Sequence, residues 1–409
     1  MANTFTGGIK LPYMNLGYDV PTKEFKPLRI QIKLPKGYKT VVPDGECVKV
    51  GTALAICDGE GEDIVSGVSG RVSLSYKEGY ITVENDYLST PSENCRPFDK
   101  SINEISEEEM RKALMKMGIA VPKIKAKSPG CLIVSACEED SHTSSEIRTL
   151  FENAEKVVYG AKIIMKILGA PRTVFAVPKS MYRAANALVP YLGTRKMMRT
   201  KLVSDKYPQF ESHMLVSSLF NLEVNSSKST ADAGYPTVKA SFCAAVYNAL
   251  AKGKPYTEGI ITVSSARGAD NFIVPFGTEL NELISFFGDG TAPNSITVGG
   301  IITPKAADGN YLTDKNTRAV VLNMTKSVAV SHACISCGRC HDVCPMRLTP
   351  NFIYEASKKE NRKSAKMLDA EYCIECGCCS EVCPSGIDLK EVISFEKTFL
   401  KEQGDGDEK

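Results

Sequence analysis

The feature that most constrains this chain is a cysteine run that occurs twice. Cys334-Ile335-Ser336-Cys337-Gly338-Arg339-Cys340-His341-Asp342-Val343-Cys344-Pro345 has the spacing C-x2-C-x2-C-x3-C-P. Cys373-Ile374-Glu375-Cys376-Gly377-Cys378-Cys379-Ser380-Glu381-Val382-Cys383-Pro384 repeats it. Three closely spaced thiolates can wrap one face of an iron–sulfur cube, and a glycine in each loop, Gly338 or Gly377, eases the tight path. The fourth thiolate must come from elsewhere, and in two-cluster ferredoxins the Cys before Pro serves the other cluster. The spacing therefore predicts one [4Fe-4S] cluster on Cys334, Cys337, Cys340 and Cys383, and a second on Cys373, Cys376, Cys379 and Cys344. Such cross-ligation holds two cubes close together, which suits stepwise transfer of single electrons. Zinc is the other metal of C-x2-C pairs, but it takes its ligands in two pairs, whereas three-plus-one occurs twice here. Cys378 is off the spacing and is expected to be unligated.

Nine of the 15 cysteines fall within 334–383, which favours metal ligation in a reducing compartment over a disulfide framework. The other six (Cys47, Cys57, Cys95, Cys131, Cys137 and Cys243) are scattered and read as buried thiols. The N-terminal residues lack the charged start and apolar run of a secretory signal. With 50 basic and 48 acidic residues, the formal charge of +2 gives no general drive toward nucleic acid. No apolar stretch approaches the ~18 residues of a membrane span, so membrane attachment would come through partners.

At 409 residues the chain has room for about three domains. Between 28 and 88, short runs such as Ile30, Ile32, Leu34 and Ile64-Val65, Val72, Leu74, Ile81, Val83 alternate between turn signals and read as a compact all-β module. It is similar to the barrel-sandwich domains that carry biotin or lipoate on a lysine at a hairpin tip. The comparable turn here, Ser66-Gly67-Val68-Ser69-Gly70, has no lysine, so the module reads as structural. Between about 101 and 250, helical patterns over 107–117 and 157–168 alternate with apolar strands at 131–134 and 174–177, which suggests a parallel α/β sheet. Short strands return at 260–263, 272–274 and 296–298, with a helix over 280–287. The spacer between the cysteine runs has helical spacing at Phe352, Ile353, Ala356, Ala365 and Leu368. It also carries a basic run, Lys358, Lys359, Arg362, Lys363 and Lys366, either a solvated helix face or a docking patch for an acidic electron carrier.

With these pieces in order, the chain resembles the C subunit of the Rnf electron-transport complexes over almost its whole length. The resemblance rests on Phe5-Thr6-Gly7-Gly8-Ile9, the β module, Lys206-Tyr207-Pro208-Gln209, Phe276-Gly277-Thr278 and, most specifically, residues 373–379. It implies a peripheral subunit on the cytoplasmic face of the cell membrane, with integral membrane and iron–sulfur subunits and soluble ferredoxin as partners. It also implies FMN and NADH binding beside the two clusters. The implied fold class is α/β plus β: an N-terminal extension (1–27), the barrel-sandwich module (28–88) and a degenerate Rossmann-like α/β domain (100–255). A β-grasp, SLBB-like domain (256–312), a helical two-cluster ferredoxin-like domain (325–396) and a tail (397–409), expected to fray over its last nine residues, follow.

One part departs from that family. Its nucleotide loop is a long glycine-rich run, and this chain has only Gly118-Ile119-Ala120-Val121-Pro122-Lys123 there. Backbone amides approach a phosphate or a flavin ring closely only where several side chains are missing. The family's acidic Glu-x-Glu-Pro segment corresponds to Glu138-Glu139-Asp140-Ser141, and only Gly299-Gly300 remains of a longer motif near Ile301-Ile302. The sequence thus predicts an α/β domain that keeps its fold without FMN or NAD, in a relay that has no substrate site of its own and a non-NAD acceptor. Glu138, Glu139, Asp140 and His142 are expected on an exposed loop, and Gly299-Gly300 in a turn. His332 and His341 flank the first cluster loop, where they could tune its potential. The alternatives are an NADH- and FMN-dependent subunit with an atypical loop, and a soluble iron–sulfur adaptor to another reductase.

Overall fold

A computed structural model describes residues 3–11, 17–59, 61–75, 79–98, 104–126, 129–193, 197–288, 293–323 and 331–404. At its centre lies a four-stranded parallel sheet of Leu132–Ser135, Thr173–Pro178, Met198–Val203 and Thr237–Lys239. Counted along the chain, the strands lie in the spatial order third, second, first, fourth. Leu132, Ile133 and Val134 are all buried because the sheet is covered on both faces. Leu132 and Val134 face a core with helices Glu107–Lys116, Ser145–Leu168 and Ala240–Lys252, while Ile133 faces helix Ser212–Phe220.

The apolar stripe expected over 157–168 is the second half of helix Ser145–Leu168. Its polar first turn hid the true start, and the helix bends at Asn153 (φ −137°, ψ 29°). Helix Ala240–Lys252 crosses it at Gly160, where a Cβ would stand 1.8 Å from the Cys243 carbonyl oxygen. Helix Glu107–Lys116 starts where a capping box sets it, with Ser106 and Glu109 exchanging side-chain and backbone bonds.

A mixed six-stranded sheet follows, in the order Thr22–Glu24, Gly268–Pro275, Glu258–Ser265, Ala319–Leu322, Ile296–Val298, Lys305–Ala307. It reaches outside 256–312 on both sides. Residues 28–86 form two small sheets around Ile30, Leu54, Val72, Ile81 and Val83. The turn compared with a carrier tip is buried, with Ser66 and Ser69 at most 1% exposed and Gly67 against Thr257 and Pro275. No swinging side chain could be displayed from it.

The cysteine-rich lobe is built from short helices Arg339–Asp342, Pro350–Lys358, Arg362–Met367 and Cys378–Glu381, closed by the longer helix Leu389–Gly404. Residues 397–404, expected as part of the tail, instead continue that helix. Arg362 stacks on Phe395 and Phe399, and Leu400 packs on the lobe's core. The rest of the expected tail, 405–409, lies outside the described residues.

Candidate iron–sulfur site

The two cysteine runs repeat in backbone as well as in sequence. Ser336 (φ 54°) and Glu375 (φ 57°) are left-handed, as are Gly338 (φ 76°) and Gly377 (φ 77°), and Arg347 (φ 57°) and Gly386 (φ 64°). Four-residue helices start directly after both loop glycines. A non-glycine residue in this region costs on the order of 1–3 kcal/mol. Alternating left- and right-handed residues turn successive N–H groups toward one concave side, the kind of nest in which iron–sulfur centres sit.

Cys373, Cys376 and Cys379 of the second run line one cavity together with Cys344 of the first. Leu348 N–H donates to Cys344 Sγ and Glu375 N–H to Cys373 Sγ, both at 3.3 Å. Burial pushes Cys344 and Cys373 up to about 11 despite these donors, and it raises Cys379 further. Contact with Cys378 and then burial raise Cys376. Four thiols gathered in one desolvated cavity match the ligands of a multivalent cationic core, which would hold them as thiolates. Among the described residues, no three such side chains converge on one point as a single ion would require. Four cysteines drawn three-plus-one from two runs are a donor set that fits a four-iron cluster.

Cys340 and Cys379 belong to one buried patch with Ile387 and Leu389, and Cys334 and Cys383 pack against it. Cys337 is exposed, and Ile335 beside it is 67% exposed. His341 Nδ1 lies 3.0 Å from the Leu348 carbonyl, and His332 N–H donates to the Ser385 carbonyl. Cys378 is fully buried against the Tyr207 carbonyl. Among the scattered thiols, Cys131, Cys137 and Cys243 are buried as expected, whereas Cys57 and Cys95 are half-buried and Cys47 is exposed on a short edge strand.

Sequence reasoning did not place several residues that hold the second loop. Tyr207 Oη donates to the Cys376 carbonyl at 2.6 Å, and burial keeps this phenol well above its ordinary pKa. Lys397 Nζ donates to the Cys373 carbonyl and pairs with Glu375. Gly8 N–H donates to the Val343 carbonyl at 2.8 Å. Gly7, Gly8 and Tyr207 stood only as points of resemblance, and Lys397 sat in the supposed tail.

The acidic loop after the first parallel strand is not exposed. Asp140 and His142 are buried and Glu138 and Glu139 half-buried, because the loop lies between the parallel and mixed sheets. Asp140 Oδ2 accepts from Ile301 N–H at 2.9 Å and Ile302 N–H at 3.1 Å. A Cβ at Gly300 would stand 2.1 Å from that oxygen, so the second glycine of the pair serves a close approach. At the carboxyl ends of the strands, where open α/β sheets take ligands at the switch in strand order, both helix N-termini already carry acidic side chains. Glu138 Oε1 accepts from Glu146 and Ile147 N–H at 2.8 Å. Glu146 accepts from Ser241 N–H at 2.8 Å and Ser241 Oγ–H at 2.7 Å. Burial and then Glu146 push Glu138 up to about 8, against its two donors.

The basic run divides. Arg362 is half-buried on Glu396, itself 0% exposed, whereas Lys358, Lys359, Lys363 and Lys366 face solvent. Arg362 is a structural residue, because its charge neutralises a carboxylate inside the lobe.

Residues 110–250 match the family described as the Nuo51 FMN-binding domain, and residues 333–387 match the 4Fe-4S dicluster domain. The sequence is 27% identical to the C subunit of the proton-translocating ferredoxin:NAD(+) oxidoreductase complex of Clostridium ljungdahlii, over 85% of this chain and 81% of the relative. Over most of its length the chain is similar to Rnf C subunits. The Na(+)-translocating counterpart of Acetobacterium woodii is 25% identical over 87% of this chain and 88% of that one. A solved NAD+-reducing [NiFe]-hydrogenase aligns with a TM-score of 0.46 at 14% identity, over 73% of this chain and 62% of that one. The match to an FMN-binding family runs against the expectation that FMN is lost, and it covers the parallel sheet and its helices. Among the described residues, no helix is long and apolar enough to cross a membrane.

Proposed function

We propose that this chain is an electron-relay subunit of a membrane-bound, ion-translocating complex, passing electrons between ferredoxin and an acceptor other than NAD. The observation that carries this reading is the cavity shared by Cys344, Cys373, Cys376 and Cys379, which joins the two runs as cross-ligation requires. In this reading the second cluster takes those four thiolates, and the first takes Cys334, Cys337, Cys340 and Cys383. Bound there, the two [4Fe-4S] clusters would supply single-electron acceptance and release. The chain's own part is to fix the thiolates, exclude water from the inner loop and leave the outer loop, with Cys337, open to a partner.

Two observations support a relay without flavin or nucleotide. Ile119 and Val121, in the segment that replaces the glycine-rich loop, are buried in the main core. The helix N-termini that would receive phosphate hold Glu138 and Glu146. The match to the FMN-binding family favours a second reading, an NADH- and FMN-dependent subunit with an atypical loop. The membrane partners would be the complex's integral and iron–sulfur subunits, with this chain peripheral on the cytoplasmic face.

The test has two arms. In native extracts the chain should sediment with membranes and leave them in detergent together with integral partners. The isolated chain, incubated with FMN and desalted, should release no flavin on precipitation. A wholly soluble chain would sink the membrane reading, and stoichiometric flavin would favour the second one.

The exposed lysines give a separate prediction for ferredoxin. Reversing Lys359, Lys363 and Lys366 to Glu, with Arg362 left in place, should slow reduction by ferredoxin several-fold at low salt. The effect should fade near 0.1 M salt, where screening acts over about 10 Å. An unchanged rate in stopped-flow reduction would return these lysines to a solvated face.

A further inference from the structure

The two cysteine loops share a backbone but not their surroundings, and the difference centres on one side chain. The first loop stands in solvent, with residues 331–333 and 335–337 exposed. The second rests on the edge of the parallel sheet, where Tyr207 meets it twice. Tyr207 Oη donates to the Cys376 carbonyl at 2.6 Å, and the Tyr207 carbonyl lies 4.0 Å from Cys378 Sγ. Tyr207 is itself held by the N-terminal strand segment, through Ile9 N–H to Tyr207 O (3.0 Å) and Tyr207 N–H to Ile9 O (2.8 Å). That segment also grips the opposite side of the four-thiol cavity. Gly8 N–H bonds to the Val343 carbonyl, and a Cβ at Gly7 would stand 2.6 Å from the Cys344 carbonyl oxygen.

We propose that Tyr207 is a positioning residue that sets the reduction potential of the second cluster, by orienting the Cys376–Gly377 peptide through its hydroxyl. This rests on the two-cluster reading above. A trans peptide is planar, so holding the Cys376 carbonyl toward Tyr207 directs the Gly377 N–H the other way. Gly377 lines the four-thiol cavity. N–H groups aimed at cluster sulfur favour the reduced, more negative state and raise its potential. The O–H dipole of Tyr207, hydrogen end toward the loop, acts in the same direction. Among the described residues, no side-chain hydrogen bond like that of Tyr207 holds the equivalent carbonyl of Cys337.

The experiment is an EPR-monitored redox titration of the anaerobically purified full chain. The second cluster is identified as the signal lost in Cys373→Ser. Tyr207→Phe keeps the ring that packs on Phe210 and removes only the donor. The second cluster should become about tenfold harder to reduce, a fall of about 59 mV for one electron, with the first cluster and the iron content unchanged. Gly8→Ala is an independent variant: its methyl would stand 2.6 Å from the Tyr207 carbonyl oxygen, at a φ of +75°. It should move the same signal alone. Unmoved potentials in both variants, or equal shifts in both clusters, overturn the assignment to Tyr207 while the two-cluster reading stands. A single cluster signal in the parent protein overturns both.

Discussion

Cys340→Ser and Cys383→Ser will lose the same cluster, although 42 residues separate them and each belongs to a different run. Cys344→Ser and Cys379→Ser will both lose the other one. Iron and acid-labile sulfide should fall from about eight of each per chain toward about four. The structure gives the pairing a physical basis, since Cys344 leaves its own run to line the cavity of Cys373, Cys376 and Cys379. Cys383 packs with Cys334 on the patch that holds Cys340 and, from the other set, Cys379. Cys378→Ser should keep both clusters, because its sulfur is turned toward Tyr207 and lies off the ligand spacing. If Cys340→Ser and Cys383→Ser extinguish different EPR signals, the cross-ligation is wrong.

The largest effect on stability is expected at Glu146. Its carboxylate is 3% exposed, lies 3.8 Å from the buried Arg318 and closes the N-terminus of helix Ala240–Lys252 through Ser241. Burial disfavours the Arg318 charge and Glu146 restores it, so the guanidinium stays protonated. Glu146→Ala strands that cation in the interior and should cost about 3–5 kcal/mol, as broken buried pairs do. Adding Arg318→Met should recover most of the loss, because the pair as a whole contributes little against an apolar replacement. Denaturant unfolding followed by far-UV circular dichroism measures both. A Glu146→Ala cost below about 1 kcal/mol, or no recovery in the double variant, would mean the charge is neutralised by something else.

The legible part of this chain was the part fixed by local rules. Residues 334–344 and 373–383 carry their chemistry in their spacing, and helix Leu280–Phe287 and strand Ile296–Val298 appear where periodicity put them. The acidic loop misled because charge density there resembles a solvated surface. Only the third dimension brings the Ile301 and Ile302 amides to Asp140 and the Ser241 amide to Glu146. The same holds for Arg362, one of five basic residues within 358–366 until Glu396 is placed beneath it. The start of helix Ser145–Leu168 was hidden by residues buried for polar reasons: Ser144 bonds Thr262 and Asn271, and Arg148 pairs with Glu152. A periodicity argument weighs only apolar burial and passes over such a turn.

The strap formed by residues 3–9 bears on the order in which the protein is made. It pairs with residues 202–207 and with Val343, so its last contact is missing until the ribosome has passed the first cysteine run. At roughly 5–20 residues per second, that leaves it waiting for about 20–70 s. The parallel sheet can close before then, because all four of its strands lie N-terminal to residue 240. Cys373, Cys376 and Cys379 are made later still, so the strap's contact with Val343 can form before the four-thiol cavity is complete. Gly7 and Gly8, left-handed and pressed against the Cys344 and Tyr207 carbonyls, thus tie the first residues made to two segments made far later.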